Sequence, residues 1–320
     1  MVHIRVPRDK VKDWVKRGVF LWVVMFLVLL VKARKGPAWR TGAFVVGLVG
    51  LLGVTAVSIK SVRELVDHRL SRSLLSRVRE TPPPPGQSVL CFMHYDTNHG
   101  YEKYAFALNR AYCAKHGYRL EFIDGYETYP PWWRKVFILR DLLRNGAKED
   151  YVMWMDSDAV FADPGISTTA LFAQYPKAVF HVGRDAADSF VGHLVPHANA
   201  GVFAVRNNAE GRAFVEKWAV QYDSKRWCAP NASCSIKTSE NTHYNGNNWR
   251  TDGAWASKTF EQGAMNSLIK ESPSSTVAVY PTHVLSSRNA EFVKHMMSKS
   301  NKKRIKEFAE MCANAGIRVD

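Results

Sequence analysis

The stretch Tyr151-Val-Met-Trp-Met-Asp-Ser-Asp-Ala-Val-Phe161 decides how the rest of the chain is read. Tyr151–Met155 is an uninterrupted apolar run, short enough for a buried strand, and two carboxylates follow it at once. In an open α/β sheet ligands collect beyond the carboxyl ends of the strands, so Asp156 and Asp158 stand where a site is expected. Carboxylates one residue apart past a strand end can converge on one hard cation, directly or through water, leaving its other positions to phosphate oxygens. A plainer use competes: Asp after a strand is also a common turn or helix-capping residue, and Asp-x-Asp alone is a weak signal. The apolar strand before it, Trp154 within that strand and Ala159-Val-Phe161 after it weigh toward a site.

Outward from this stretch, short apolar runs alternate with longer amphipathic ones. Val89–His94, Arg119–Ile123, Ala178–Val182, Gly201–Val205 and Val277–Tyr280 read as further strands. Tyr101–Lys115, Trp133–Arg144, Ala209–Tyr222, Thr259–Ile269 and Lys302–Ala315 read as helices, the basic start of the last being a solvated face. Strands separated by helices predict parallel βαβ units, hence an α/β domain over residues 88–320. No internal repeat is present.

The N-terminal part differs in kind. Val19–Val31 carries no charge, but its 13 residues reach only about 20 Å as a helix, short of the hydrocarbon core. Gly42–Ile59 gives 18 uncharged residues between Arg40 and Lys60 and is the better transmembrane span. Residues 1–59 therefore read as a membrane leader with one or two helices. Lys32, Arg34 and Lys35 follow the first run in place of a signal-cleavage site. A single span with a basic cytosolic N-terminus puts the domain in the lumen; a hairpin returns it to the cytosol. Residues 60–87 read as a stem, helical through Val62, Leu65, Val66, Leu70 and Leu74 and broken by Thr81-Pro-Pro-Pro-Pro-Gly86.

The formal charge of +15 sits mostly in the leader and stem: residues 1–80 hold 16 Lys/Arg against 5 Asp/Glu, while residues 81–320 hold 28 against 24. A nucleic-acid domain would carry its basic stripe on the folded body, so nucleic acid is not the expected partner; the charges either flank the apolar spans and set their orientation or meet membrane lipid headgroups. Five cysteines make no disulfide scaffold. Cys228 and Cys234 lie close enough for a local pair or for free thiols, in a loop that also holds the sequon Asn231-Ala-Ser233.

Trp154-Met-Asp-Ser-Asp-Ala-Val-Phe-Ala-Asp163 resembles the metal-binding segment of the retaining glycosyltransferases that include plant xyloglucan α-xylosyltransferases and fungal α-galactosyl- and α-mannosyltransferases. Other segments match in order: Asn109-Arg-Ala-Tyr-Cys-Ala-Lys-His-Gly-Tyr118, Trp133-Arg-Lys135, Asn199-Ala-Gly-Val-Phe-Ala-Val-Arg-Asn207, Phe260-Glu-Gln-Gly-Ala-Met265 and Phe292-Val-Lys-His-Met296. The resemblance spans about residues 88–300 and implies a GT-A-like nucleotide-diphospho-sugar transferase domain with a mixed, mostly parallel sheet. It further implies a nucleoside diphosphate sugar donor with UDP favoured, a glycan or glycoprotein acceptor, Mn²⁺ with Mg²⁺ as the alternative, and a Golgi or other endomembrane location with the domain in the lumen.

The same resemblance implies roles. Asp156, Asp158 and His295 would hold the metal, with His283 competing for the imidazole place. Lys135 and Asp156 would contact the donor, with His94, Thr97 and Asn98 near its nucleotide. Asn199, Glu261 and Gln262 would face the reacting sugars, and Glu261 departs from the family pattern, which has Asp there. The aromatic residues Tyr126, Tyr129, Trp132, Trp133, Trp249 and Trp255 suit either sugar stacking or core packing. Two rivals remain: an aspartyl-nucleophile phosphatase, whose strand also ends in Asp-x-Asp-x-Val but at the start of its domain, and a membrane-tethered carbohydrate-binding protein without turnover.

Overall fold

The computed structural model describes residues 64–94, 99–185, 197–230, 232–233, 249–254 and 257–319. The chain divides into two compact units, residues 1–69 with 189–192 and residues 70–188 with 193–320. Of the first unit only 64–69 are described, and they are helical. The expected spans at 19–31 and 42–59 lie outside the described residues, among which no helix is long and apolar enough to cross a membrane.

The second unit is built on a six-stranded sheet. Its strands are β1 (Val89–Met93), β2 (Arg119–Phe122), β3 (Tyr151–Met155), β5 (Phe180–Arg184), β6 (Ala198–Arg206) and β9 (Val277–Tyr280), after short strands β4 (Ala159–Phe161), β7 (Trp227–Cys228) and β8 (Arg250–Thr251) are numbered in chain order. The spatial order is β2-β1-β3-β6-β5-β9. The β1–β2, β1–β3 and β5–β9 pairs are parallel, whereas β6 runs against both neighbours, β3 and β5. A simple βαβ series therefore does not extend through β6. The reversal lays the beginning of β6 beside the end of β3, with Met155 opposite Val202.

Alternate residues of each strand enter two apolar layers. Val89, Cys91, Met93, Tyr151, Met153 and Met155 face one, and Leu90, Phe92, Val152, Trp154, Phe203 and Val205 the other. A sheet covered on both sides needs apolar residues at every position, which is why these strands read as unbroken runs. Helices α2 (Glu102–His116) and α7 (Asn301–Asn314), with the short α4 (Thr168–Ala173), contribute to the first layer. Helices α3 (Pro131–Asn145), α5 (Ala209–Ala219) and α6 (Glu261–Glu271) form the second. Pro131 at the first position of α3 gives up an N–H that would be unpaired anyway, and Gly117 ends α2 in the left-handed region at φ 66°.

Helix α1 occupies residues 64–80. Its part within the second unit buries Ser71, Leu74, Leu75 and Val78, and the three apolar ones join the layer containing Phe161 and Phe292; Leu70 is exposed. The compact body thus reaches back to Leu70, ahead of the Ser88 boundary suggested by the prolines. Two further strands, β10 (Leu285–Ser287) and β11 (Val293–His295), make a small sheet with β4 in the order β10-β11-β4. Cys228 is disulfide-bonded and Cys91, Cys113 and Cys312 are free; the expected partner Cys234 lies outside the described residues.

Candidate active site

Strand β3 delivers Asp156 to the sheet's carboxyl edge, where its backbone N–H donates to the Gly201 carbonyl of β6 (2.8 Å). The Asp156 carboxylate receives the Trp154 indole N–H (2.7 Å) and the Lys135 ammonium (2.8 Å) on Oδ1. Lys135, buried on α3, also donates to the Ala200 carbonyl (3.1 Å), lies 3.6 Å from Glu261 Oε1 and sits over the Trp154 ring. Burial opposes its charge, but Asp156 and Glu261 outweigh burial and hold the ammonium above the ordinary lysine value. Burial likewise pushes Asp156 up, and Lys135 and His295 outweigh it, leaving this carboxylate well below the usual range.

The register of the small sheet supplies the third member. β11 runs antiparallel to β4 with His295 opposite Ala159, and the Met296 N–H donates to the Asp158 carbonyl (2.9 Å). His295 Nε2 is consequently 3.0 Å from Asp158 Oδ1 and 3.4 Å from Asp156 Oδ2. One potential ligand atom from each of the three residues lies within 4.8 Å of the others. Ser286 donates to Asn199 Oδ1 (2.8 Å), so its oxygen is left to accept from His295 Nδ1 (3.2 Å). That bond keeps a proton on Nδ1, so a cation that displaced the other ring proton would meet the Nε2 lone pair beside the carboxylates, an arrangement typical of metal-binding histidine. The donor set, two carboxylates and one imidazole, fits a Mn²⁺-class ion. Burial lowers the His295 value, yet the two carboxylates raise it to about 10, so without another cation the imidazolium supplies the positive charge. Gly201 makes the approach feasible: a Cβ there would lie 2.1 Å from His295 Cε1. The competitor His283 is directed instead to the Asn289 carbonyl (3.3 Å).

Beside the cluster, α6 opens with Glu261 and Gln262. Gln262 accepts from the Ala200 N–H (3.0 Å) and donates to Asp185 Oδ2 (3.1 Å), toward which Asn199 Nδ2 also points at 3.5 Å. Asn199 Oδ1 meanwhile accepts from the Gly201 N–H (2.8 Å). The start of β6 is therefore the hub at which Lys135, Asn199, Gln262 and Asp156 meet. Glu261 is buried, and its Oε2 has no hydrogen-bond partner among the described residues. Burial, aided by Asp156 and opposed by Lys135, pushes its carboxyl up to about 7. Asp185 and Ser286 carry no local sequence signal that singles them out.

The chain matches the sequence profile of the galactosyl transferase GMA12/MNN10 family over residues 89–287. It belongs to that family and is a glycosyltransferase. No curated protein sequence matches. Among solved structures, a glycosyltransferase involved in glycosylating the major capsid of PBCV-1 shares 14% identity, with 70% of this chain and 99% of that one covered and a TM-score of 0.50. GlyE of Streptococcus pneumoniae TIGR4 (13% identity, 71% and 63% covered, TM-score 0.41) and the galactosyltransferase LgtC, solved with donor and acceptor sugar analogs (13%, 71% and 96%, 0.41), are more distant in fold. The first likeness gives the glycosyltransferase a GT-A-like fold. The phosphatase and non-catalytic alternatives give way to the family.

Other predicted residues of the glycosyltransferase divide between site and scaffold. His94, at the end of β1, places Nδ1 2.7 Å from the Ile123 carbonyl and Nε2 3.4 Å from Arg134 Nη1. Both ring nitrogens thus have partners within the protein, and the buried Arg134 was not foreseen. Thr97, Asn98 and Trp255 lie outside the described residues. Packing accounts for most of the aromatic cluster: Trp133 is fully buried and donates to the Thr259 carbonyl, Tyr129 stacks on Phe137, Trp132 packs against Trp227, and Trp249 is buried. The segment Asn109–Tyr118 is scaffold as well. Asn109 bridges β4 by donating to the Ala159 carbonyl (2.9 Å) and accepting from the Phe161 N–H (3.0 Å), while the Tyr112 hydroxyl donates to the Ile166 carbonyl (2.8 Å).

Proposed function

We propose that this glycosyltransferase is metal-dependent and moves a sugar from a nucleoside diphosphate sugar, UDP-linked in first preference, to a glycan hydroxyl with retention of configuration. The observation that carries the reading is the convergence of Asp156, Asp158 and His295 at the end of β3. A divalent ion bound there neutralises the charge that develops on the departing nucleoside diphosphate. Lys135 fixes Asp156 and adds positive charge to the same edge of the sheet. Gln262 and Asn199, both tied to Asp185, present amides toward the reacting sugars, and Glu261 offers its free carboxyl oxygen to a sugar hydroxyl. Retention follows the family resemblance, with a donor phosphate oxygen taking the acceptor's proton on the face the leaving group vacates.

An anchored protein with its domain in the Golgi lumen agrees with the apolar run 42–59, the bonded Cys228 and the sequon at Asn231. The anchor would bring membrane lipid into contact with the basic leader. The test is the full-length chain in detergent with a panel of UDP- and GDP-sugars, with and without Mn²⁺, beside Asp158→Asn. Transfer or donor hydrolysis is expected only with Mn²⁺ and only with Asp158 intact. Turnover indifferent to both would sink the reading. Protease protection in sealed vesicles tests the luminal placement.

A further inference from the structure

The basic start of α7, which the sequence suggests is a solvated face, sends one side chain into the site. Arg304 Nη2 lies 2.7 Å from Asp158 Oδ2, and the Arg304 side chain is only 17% exposed. Three further contacts fix the guanidinium: Nε donates to the Met296 carbonyl (3.2 Å), Nη1 donates to Asn301 Oδ1 (3.1 Å), and Cζ lies 5.0 Å from the centre of the Tyr101 ring. The Tyr101 hydroxyl is in turn 3.2 Å from Ser157 Oγ, inside the Asp-Ser-Asp turn. The first turn of α7 holds no acidic residue, although an acidic one is what the positive end of a helix favours. A local rule broken in this way is common where a residue serves a site. Arg304 also lies beyond residues 89–287, the part matched to the family.

We infer that Arg304 is a positioning residue that makes Asp158 a one-oxygen ligand and so sets which divalent ion the site prefers. The inference rests on the metal reading above. Asp158 divides its carboxylate, with Oδ2 held by the guanidinium and Oδ1 turned toward His295 and Asp156. A carboxylate with one oxygen occupied cannot close on an ion with both. Larger ions such as Ca²⁺ accept two-oxygen carboxylates and higher coordination numbers, whereas smaller ions favour compact one-oxygen sets. Holding Oδ2 away therefore favours Mn²⁺ over Ca²⁺. Arginine suits the task because its planar fork can pair with a carboxylate while its face rests on an aromatic ring.

The test is equilibrium binding of Mn²⁺, followed by its electron paramagnetic resonance signal, and Ca²⁺ competition in the donor-free full-length chain. Arg304→Met keeps an apolar stem over Tyr101 and removes the charge; Arg304→Lys keeps the charge. In Arg304→Met the Ca²⁺ affinity should rise about tenfold relative to the Mn²⁺ affinity, so the preference for Mn²⁺ drops. Arg304→Lys should hold the preference close to that of the unaltered chain. An unchanged preference in folded Arg304→Met, or an equal loss of both ions in both variants with a lower melting midpoint, overturns the inference. If the unaltered chain binds no Mn²⁺, or binds it equally after Asp158→Asn, the metal reading itself fails, an outcome distinct from the failure of Arg304 alone.

Discussion

Asn109–Tyr118 and Tyr151–Phe161 both stand out as sequence signatures, yet they direct their polar groups in opposite ways. In the first, neutral side chains turn inward and each meets a backbone group or hydroxyl: Asn109 takes both sides of β4, and Tyr112 reaches Ile166 and Thr168. In the second, Asp156 and Asp158 draw Lys135, His295 and Arg304 around one point. Satisfied neutral bonds hold a shape, whereas charges held close in a low-dielectric setting create a place for a charged ligand. The lesson is that a recognisable motif marks constraint, and only the partners of its polar atoms tell scaffold from chemistry.

The severest way to break this contrast is Gly201→Ala. Its new Cβ would collide with His295, and β6 cannot retreat while Gly201 accepts from Asp156 in register with β3. Mn²⁺ affinity and sugar transfer should both fall by about 10–100-fold, measured by metal titration and steady-state assay. If both stay unchanged, His295 is not part of the metal site. On the scaffold side, Asn109→Leu leaves the Ala159 carbonyl and Phe161 N–H unpaired. A loss on the order of 4 kcal/mol in chemical unfolding is expected. Transfer per folded molecule should change little; a selective loss of turnover would erase the distinction between the two segments.

Glu261 stands on the chemical side of the comparison and gives it a pH signature. Its carboxyl rests at about 7 in the folded protein against an ordinary 4.5. Between those values the folded state keeps a proton that the unfolded state has released, so stability falls as pH rises through the window, by on the order of 3 kcal/mol. Glu261→Gln should remove that fall. Melting midpoints of the metal-free proteins from pH 4.5 to 8 should diverge in favour of the variant, and parallel curves would count against the raised carboxyl. The smallest effect belongs to Arg79→Ala. It loses a partly exposed ion pair with Asp163, close in sequence to the strand that Asn109 holds from inside. Under about 1 kcal/mol is expected in the same unfolding assay, and a larger loss would mean that the loop depends on its outer contacts as much as on its inner ones.

Much of the fold was legible because buried strands such as β1 and β3 are short apolar runs bounded by turns, and because α2 and α3 end or begin at glycine and proline. The direction of β6 was not, since an apolar run carries the same pattern whichever way it is paired. Three-residue strands such as β4, β10 and β11 owe their form to tertiary pairing and leave no period to read. Asp156 and Asp158 were visible from their place after β3. His295 came through resemblance alone, and nothing local separates Arg304 from the lysines around it. Its role is fixed by contacts with residues 146 and 203 positions earlier in the chain, Asp158 and Tyr101.

The reversed run of β6 also bears on how such a protein could diversify. Gly183 and Arg184 pair with Asn199 and Ala198, so both ends of the connection between β5 and β6 are pinned at the edge where Gln262, Asn199 and Asp185 gather. Insertions or deletions between those pins would leave β3 and β11, and with them Asp156, Asp158 and His295, in register. The architecture thus separates a connection whose length can vary from a register that must stay fixed.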